Sequence, residues 1–160
     1  MEMTHYMELL ATNQPWNLIF FMAIPVLFAE TLAISEFFRL FYEDGDKELR
    51  MVNRVAGVFL GLYFTGIFLF LFVTVVVPLT WNLGWRGLFD VIAVGAYLSG
   101  VVPTAGIALM EFGWIGKGLS KRDKLKMHVK MISLFLIVAH VAMVFGMLSP
   151  ALISSGGGGH

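Results

Sequence analysis

The chain has 160 residues, 58% of them hydrophobic and 14% charged, with 11 basic and 11 acidic side chains. A soluble domain carries about 25% charged residues, so the composition excludes a disordered chain, a nucleic-acid binder with a basic face and an ordinary water-soluble enzyme. The class that fits is one small membrane domain, and the absence of cysteine removes disulfides, thiolate metal sites, iron–sulfur clusters and cysteine nucleophiles.

The first residues hold Met3, His5 and Met7 with Tyr6 and Glu8. This segment is short and mildly amphipathic, and it is expected to fold over the outer mouth of a helix bundle, with residues 13–15 turning into the first span. Four apolar segments follow, over residues 16–41, 52–77, 88–115 and 129–152. Each is long enough to cross a bilayer, which takes about 20 residues. Backbone groups in lipid must be satisfied within the segment, so all four are helices. No Lys or Arg precedes the first segment, which therefore reads as a span and not as a cleavable leader. The expected fold is an all-α, polytopic four-transmembrane-helix bundle, one domain over residues 1–153. The tail 154–160, SSGGGGH, reads as a linker or tag remnant.

The basic residues orient the bundle. Arg39, Lys47, Arg50 and Arg54 flank the first connection, and Lys117, Lys121, Arg122, Lys124, Lys126 and Lys130 the third. Arg86 alone lies at the second. The positive-inside rule makes the basic end cytoplasmic and puts both termini outside the cytoplasmic (inner) membrane. Trp16, Trp81 and Trp85 then lie at the outer interface and Trp114 at the inner one.

Small residues at four-residue spacing mark close helix contacts. They are Gly57, Gly61 and Thr65 in the second span, Ala96, Gly100 and Thr104 in the third, and Ala139, Ala142 and Gly146 in the fourth. Pro25 and Pro103 each free a carbonyl and are expected to kink their helices. No internal repeat supports an inverted-repeat transporter.

Among polar residues Glu30 stands out. It sits near the middle of the first span, where a charged carboxylate costs about 2.5–3.5 kcal/mol. It must be neutral, hydrogen-bonded to Thr31, Tyr63 or Thr65, or paired with another helix. His140 is the expected partner: helix rise places both within ~5 Å of the bilayer centre. Met143 and Met147 follow His140 on one stripe with Ser133, and Met22 is expected near the height of Met147. Thioether and imidazole ligands select Cu(I). The expected metal site is therefore Glu30, His140, Met143 and Met147, with Glu30 also a proton-binding group. Met3, His5, Met7, Met22 and Asp90 form the outer way in. Glu36 is expected to pair with Arg39, Glu111 to lie near Lys117 and the basic loop, His128 to be solvated at the inner interface, and Asp90 to form an ion pair with Arg86 at i and i+4.

The stretches THYMELLATNQPWNL, AIPVLFAETLAISEFF, LGWRGLFDVIAVGAYL and AHVAMVFGMLSP resemble a group of small four-span prokaryotic membrane proteins, uncharacterised and loosely labelled permeases. The resemblance runs to Pro150 and implies membrane location and four helices, but no activity. The M-x-x-x-M pairs Met3/Met7, Met127/Met131 and Met143/Met147 are similar to the motif of three-helix copper transporters. Residues 34–70, with a Gly-Asp hairpin between basic flanks, resemble quinol-oxidising cytochrome subunits of the bd type. The first span here lacks their histidine, so no haem ligand is carried over.

Three functions are expected to compete. The first is binding or transport of a transition metal, copper, through the His/Met/Glu site. The second is a b-type haem or quinone-linked electron-transfer subunit, although His140 alone lies deep in a span. The third is a small proton-coupled permease using Glu30. The expected partners are the lipid bilayer and either a second copy or a larger membrane complex, with no nucleic acid. Hydrolytic catalysis has the least support, since no activated nucleophile faces water.

Overall fold

The computed structural model describes residues 3–42 and 47–148. The elements are α1 (His5–Ala11), α2 (Trp16–Phe41), α3 (Lys47–Trp81), α4 (Leu88–Glu111) and α5 (Lys121–Met147), with no strand among the described residues. Helices α2 to α5 are long and apolar enough to cross a membrane, so the four expected spans are present. The connection 43–46, where the Gly-Asp hairpin is expected, and the tail 154–160 lie outside the described residues.

Two helix ends differ from the hydropathy boundaries, because chemistry at the helix terminus sets them. α5 starts at Lys121, ahead of the apolar stretch, because Ser120 caps it. Its Oγ accepts from the Asp123 amide at 3.1 Å, the usual N-cap bond, and donates to Asp123 Oδ2 at 2.7 Å. α4 stops at Glu111 although the following residues are apolar. Gly113 adopts a φ of 74°, its amide donates to Met110 O at 3.1 Å, and the Trp114 amide donates to Leu109 O at 2.9 Å. That is the Schellman pattern, which needs a residue in the left-handed region.

The prolines act as local breaks. A π-helical turn at Ile19–Ala23 precedes Pro25, another at Phe72–Val76 precedes Pro78, and α4 is interrupted at Gly100 ahead of Pro103. Carbonyls beside such breaks have no water to turn to and must be met by side chains. Tyr63 Oη donates to Phe20 O at 3.0 Å, and Tyr97 Oη donates to Phe21 O.

The small-residue stripes face inward. Gly57, Gly61, Gly100, Thr104, Ala142 and Gly146 are buried. The tightest crossing joins α3 to α4: a Cβ on Gly61 would stand 2.6 Å from Thr104 O and would overlap Ala108 Cβ. Gly100 lets the rings of Phe64 and Phe135 approach, and Leu32, Leu60 and Ile107 complete the centre of the core. At the end remote from the basic connections, α1 lies across α4 and α5. Thr4 caps it and donates to Gly146 O at 2.8 Å, while Tyr6 and Leu10 are buried beneath it. The expected covering of that end is thus observed.

Gly61→Ala forces backbone against backbone and is expected to lower the unfolding free energy in detergent by about 1–3 kcal/mol. On the same helix, a Cβ on Gly66 would meet nothing within 4 Å. Gly66→Ala is expected to leave stability unchanged or to raise it by up to ~1 kcal/mol. Parallel chemical-denaturation curves followed by circular dichroism separate the two.

Candidate functional site

At the basic end each of the four spans delivers a polar side chain to one buried cluster. On α2, Leu32, Ser35, Glu36 and Arg39 recur at three- and four-residue steps and share a face. Asn53 comes from the start of α3, Glu111 from the last turn of α4, and His128 from α5, one turn after Lys124. Ser35, Glu36, Asn53 and His128 are all buried.

The imidazole of His128 stands between two carboxylates. Nδ1 lies 3.2 Å from Glu36 Oε1 and Nε2 lies 3.2 Å from Glu111 Oε1. The side chains of His128 and Glu36 are 2% and 1% exposed, and that of Glu111 is 11% exposed. The Nε2 contact lacks hydrogen-bond alignment, so Nε2 and Glu36 Oε2 are buried without a hydrogen-bond partner among the described residues. Arg39 Nη1 donates to Asn53 Oδ1 at 2.8 Å, Asn53 Nδ2 donates to Ser35 Oγ at 2.8 Å, and Ser35 donates to Leu32 O at 3.0 Å. On the outward side, Arg54 Nε and Lys124 Nζ approach Glu111 at 3.8 and 3.7 Å.

An imidazole can take a proton at one nitrogen and release it from the other. Flanked by carboxylates from two different helices, each 3.2 Å from a ring nitrogen, His128 stands between two groups of the kind that can exchange a proton with it. The same layout is poor for a metal ion, since the two nitrogens face opposite ways and the donors do not converge on one point. Among the described residues no group of three or more His, Asp or Glu could hold a metal.

Several pairings differ from expectation. Glu36 meets His128 and not Arg39, which goes to Asn53. Glu111 meets Lys124 of the basic run, in line with expectation, and also Arg54 and His128, while His128 is buried, not solvated. Glu30 and His140 both lie on exposed faces, and among the described residues no hydrogen bond or ion pair joins them. His140 Nδ1 lies 2.6 Å from Leu136 O on its own helix. The hydroxyls of Thr31, Tyr63 and Thr65 serve backbone carbonyls and do not reach Glu30. Met22 and Met143 line one apolar void of about 20 Å³ with Tyr97 and Phe135, whereas Met147 is 64% exposed. Ser133, on the same helix, donates to Val129 O. The structure therefore does not bring Glu30, His140, Met143 and Met147 together.

At the opposite end His5 and Asp90 do meet. Asp90, fully buried, accepts from the His5 amide at 2.6 Å, faces His5 Nδ1 at 2.6 Å and accepts from the Arg86 amide at 3.2 Å. The Arg86 guanidinium turns to Met3 O at 2.7 Å and to Glu8 at 2.6 Å instead of pairing with Asp90. Met3 is exposed, and Met7 is half-buried against the core. These residues fasten α1 down.

The buried cluster had a signal in the sequence. Asn53 precedes Gly57 and Gly61 on the same four-residue stripe, Glu111 continues the Thr104–Ala108 face, and His128 lies on the face of Ala142 and Gly146. Glu30 lies about 100° around the helix from the buried Ala29.

Helices and site together define a four-helix bundle of the membrane-spanning class with a carboxylate–imidazole–carboxylate cluster at its basic end. The chain belongs to DUF6803, a family of unknown function whose profile matches residues 1–158, a range that takes in most of the Gly-rich tail. Comparison with curated proteins and with solved structures gives no match.

Burial of the Tyr6 phenol under α1 pushes its pKa up to about 12. The value lies above the unfolded one of about 10, so this contribution to docking is complete below that pH and is lost as pH rises towards about 12. A tyrosinate absorbance titration is expected to show a high-pH component accompanied by loosening of α1, and Tyr6→Phe is expected to remove it.

Proposed function

We propose that this chain is a small proton-linked membrane permease whose protonation site is the Glu36–His128–Glu111 cluster, opening to the cytoplasm. The observation that carries the reading is a histidine 2% exposed with a carboxylate at each ring nitrogen, the three groups coming from three different spans. A buried ionisable set inside a bundle is costly to maintain, and such sets mark proton relays and ion pathways. The groups facing it are Arg39 from α2, Asn53 and Arg54 from α3, and Lys124 from α5. The cations among them place positive charge around the carboxylates at the mouth.

The proton reading takes precedence over copper or haem b. What supports it is the carboxylate facing each ring nitrogen of His128, whereas among the described residues no hydrogen bond or ion pair joins Glu30 to His140. Beyond the cluster the core is filled by Phe64, Tyr97, Ile107 and Phe135. Passage across the bilayer would need the helices to part, and the breaks at Gly100 and before Pro25 and Pro78 are natural places for that. Orientation follows from the charge bias: ten of the 11 basic residues flank the first and third connections, which makes that end cytoplasmic and both termini external in a cytoplasmic membrane.

Infrared difference spectra across a pH step, with proton uptake by proteoliposomes under an imposed pH gradient, test the site. The wild type is expected to show carboxyl and imidazole changes and to pass protons faster than empty vesicles. His128→Gln is expected to lose both signals, and Glu30→Gln to keep both. The reverse pattern would move the site to Glu30, and no signal in any variant would end the proton reading.

The chain has no cysteine, so single introduced thiols report sidedness without background. Asn82→Cys, in the loop between α3 and α4, is expected to react with an impermeant thiol reagent in intact cells. Lys117→Cys is expected to react only after the membrane is opened.

A further inference from the structure

We propose that the face formed by α2 and α5 is the interface between two copies of this chain, with Glu30 of each copy set against His140 of the other. Both residues are exposed. Among the described residues Glu30 makes no hydrogen bond or ion pair. His140 is bonded within its own helix, Nδ1 lying 2.6 Å from Leu136 O. The proposal stands without the proton reading, which concerns the buried cluster at the basic end.

The contacts of the two helices fix where these side chains stand. Met22 and Val26 of α2 line one void with Ala139 and Met143 of α5, and Glu36 meets His128, so α2 and α5 are neighbours. The other flank of α2 turns to α3, where Phe21 stacks on Phe70 and Phe28 on Phe59. The other flank of α5 turns to α4, where Phe145 meets Phe89. Helical periodicity puts Glu30 about 40° around α2 from Val26, and His140 about 60° around α5 from Met143, in each case away from the core. Both therefore border the seam between α2 and α5 on its outer side.

Their heights converge as well. Measured from the contact between Glu36 and His128, Glu30 lies six residues and His140 twelve residues towards the α1 end, or ~9 and ~18 Å along the helices. Side chains on a helix lean towards its N-terminus, and the two helices run in opposite directions. Glu30 thus leans towards the α1 end and His140 towards the basic end, as its contact with Leu136 O shows. The lean closes the difference from both sides.

A lipid tail offers such groups neither donor nor acceptor. Ionisable side chains within spans almost always face a bundle interior or a water-filled cavity, or pair with one another. A second copy supplies the pairing. A two-fold axis along the membrane normal preserves height and orientation and exchanges left for right, so α2 of one copy meets α5 of the other. Each carboxyl then opposes an imidazole whose Nε2 can donate or accept, and one face yields two equivalent pairs, as an isologous interface requires. Around them the face is apolar, with Leu27, Ile34, Ile137 and Val144 exposed. The acid and the base already stand on the same surface, so the charge complementarity is with itself.

The test uses the full chain in a neutral, density-matched detergent, with association followed by sedimentation equilibrium. The wild type is expected to dimerise. Glu30→Leu and His140→Leu are each expected to raise the dissociation constant about tenfold or more. The exchange Glu30→His with His140→Glu is expected to recover dimerisation. The substituted side chains lie outside the core, so the fold is expected to hold, and circular dichroism checks it. The cysteine-free chain permits a second arm in the membrane. Leu27 and Ile137 each lie nine residues from the Glu36–His128 contact. Leu27→Cys on one tagged copy and Ile137→Cys on another are expected to join under mild oxidation. Leu62→Cys with Val102→Cys, on the exposed faces of α3 and α4, is expected not to. A monomer at every concentration would leave the face to lipid and overturn the proposal. So would a dimer indifferent to both single variants, a disulfide from the α3 and α4 pair instead, or a stable complex with a different chain in place of self-association. Proton uptake is not a readout here, so the two readings fail separately.

Discussion

Glu36 is buried inside the bundle, so its carboxyl group has to be met by side chains from there, and His128 meets it at 3.2 Å. The same imidazole reaches Glu111 on the other side, and Asn53 links Ser35 to Arg39 alongside. Removing two carboxylates from water is expensive enough that the helices carrying them must converge at this depth. Small residues make the convergence sterically feasible: Gly61 admits the backbone of α4, Gly57 admits the side chains of Ile107 and Glu111, and α4 in turn ends with Glu111 turned towards α5. The rule extends to the backbone. Where the π turn ahead of Pro25 disturbs the ladder, Tyr63 and Tyr97 donate to the carbonyls of Phe20 and Phe21.

The two ends of the bundle are built for different tasks. At one, Asp90 collects the amides of His5 and Arg86 and faces the His5 ring, while Thr4 donates to Gly146, so α1 is fastened as a cover. At the other, an open cavity leads to a buried titratable set. Aromatic and branched side chains fill the space between. Among the described residues, one end thus carries an open polar cavity and the other is covered by α1.

Glu30 and His140 show where reasoning by depth stops. Helix rise puts both near the mid-plane, and that holds for any four-span bundle of these lengths. Rotation about the helix axis decides whether they meet, and both turn outward. The face that turns inward was marked by other residues. Asn53, Gly57 and Gly61 lie on one stripe, and His128, Ala142 and Gly146 on another. Reading the polar residues along the small-residue stripes, instead of by depth, would have found the cluster, because close packing selects the same face for small side chains and for buried polar ones.

The number of spans, their helical state and the concentration of basic charge at one end were determined by the sequence alone. Each depends on a sum along the chain: about 20 apolar residues suffice to cross a bilayer, and backbone groups in lipid leave no alternative to a helix. The partners of Glu36, Glu111, His128 and Arg86 were decided only by the tertiary structure. Each of those side chains had more than one oppositely charged or hydrogen-bonding neighbour within reach along the chain. The choice among them depended on which helices pack together, and at what rotation, once glycine and alanine let the backbones close.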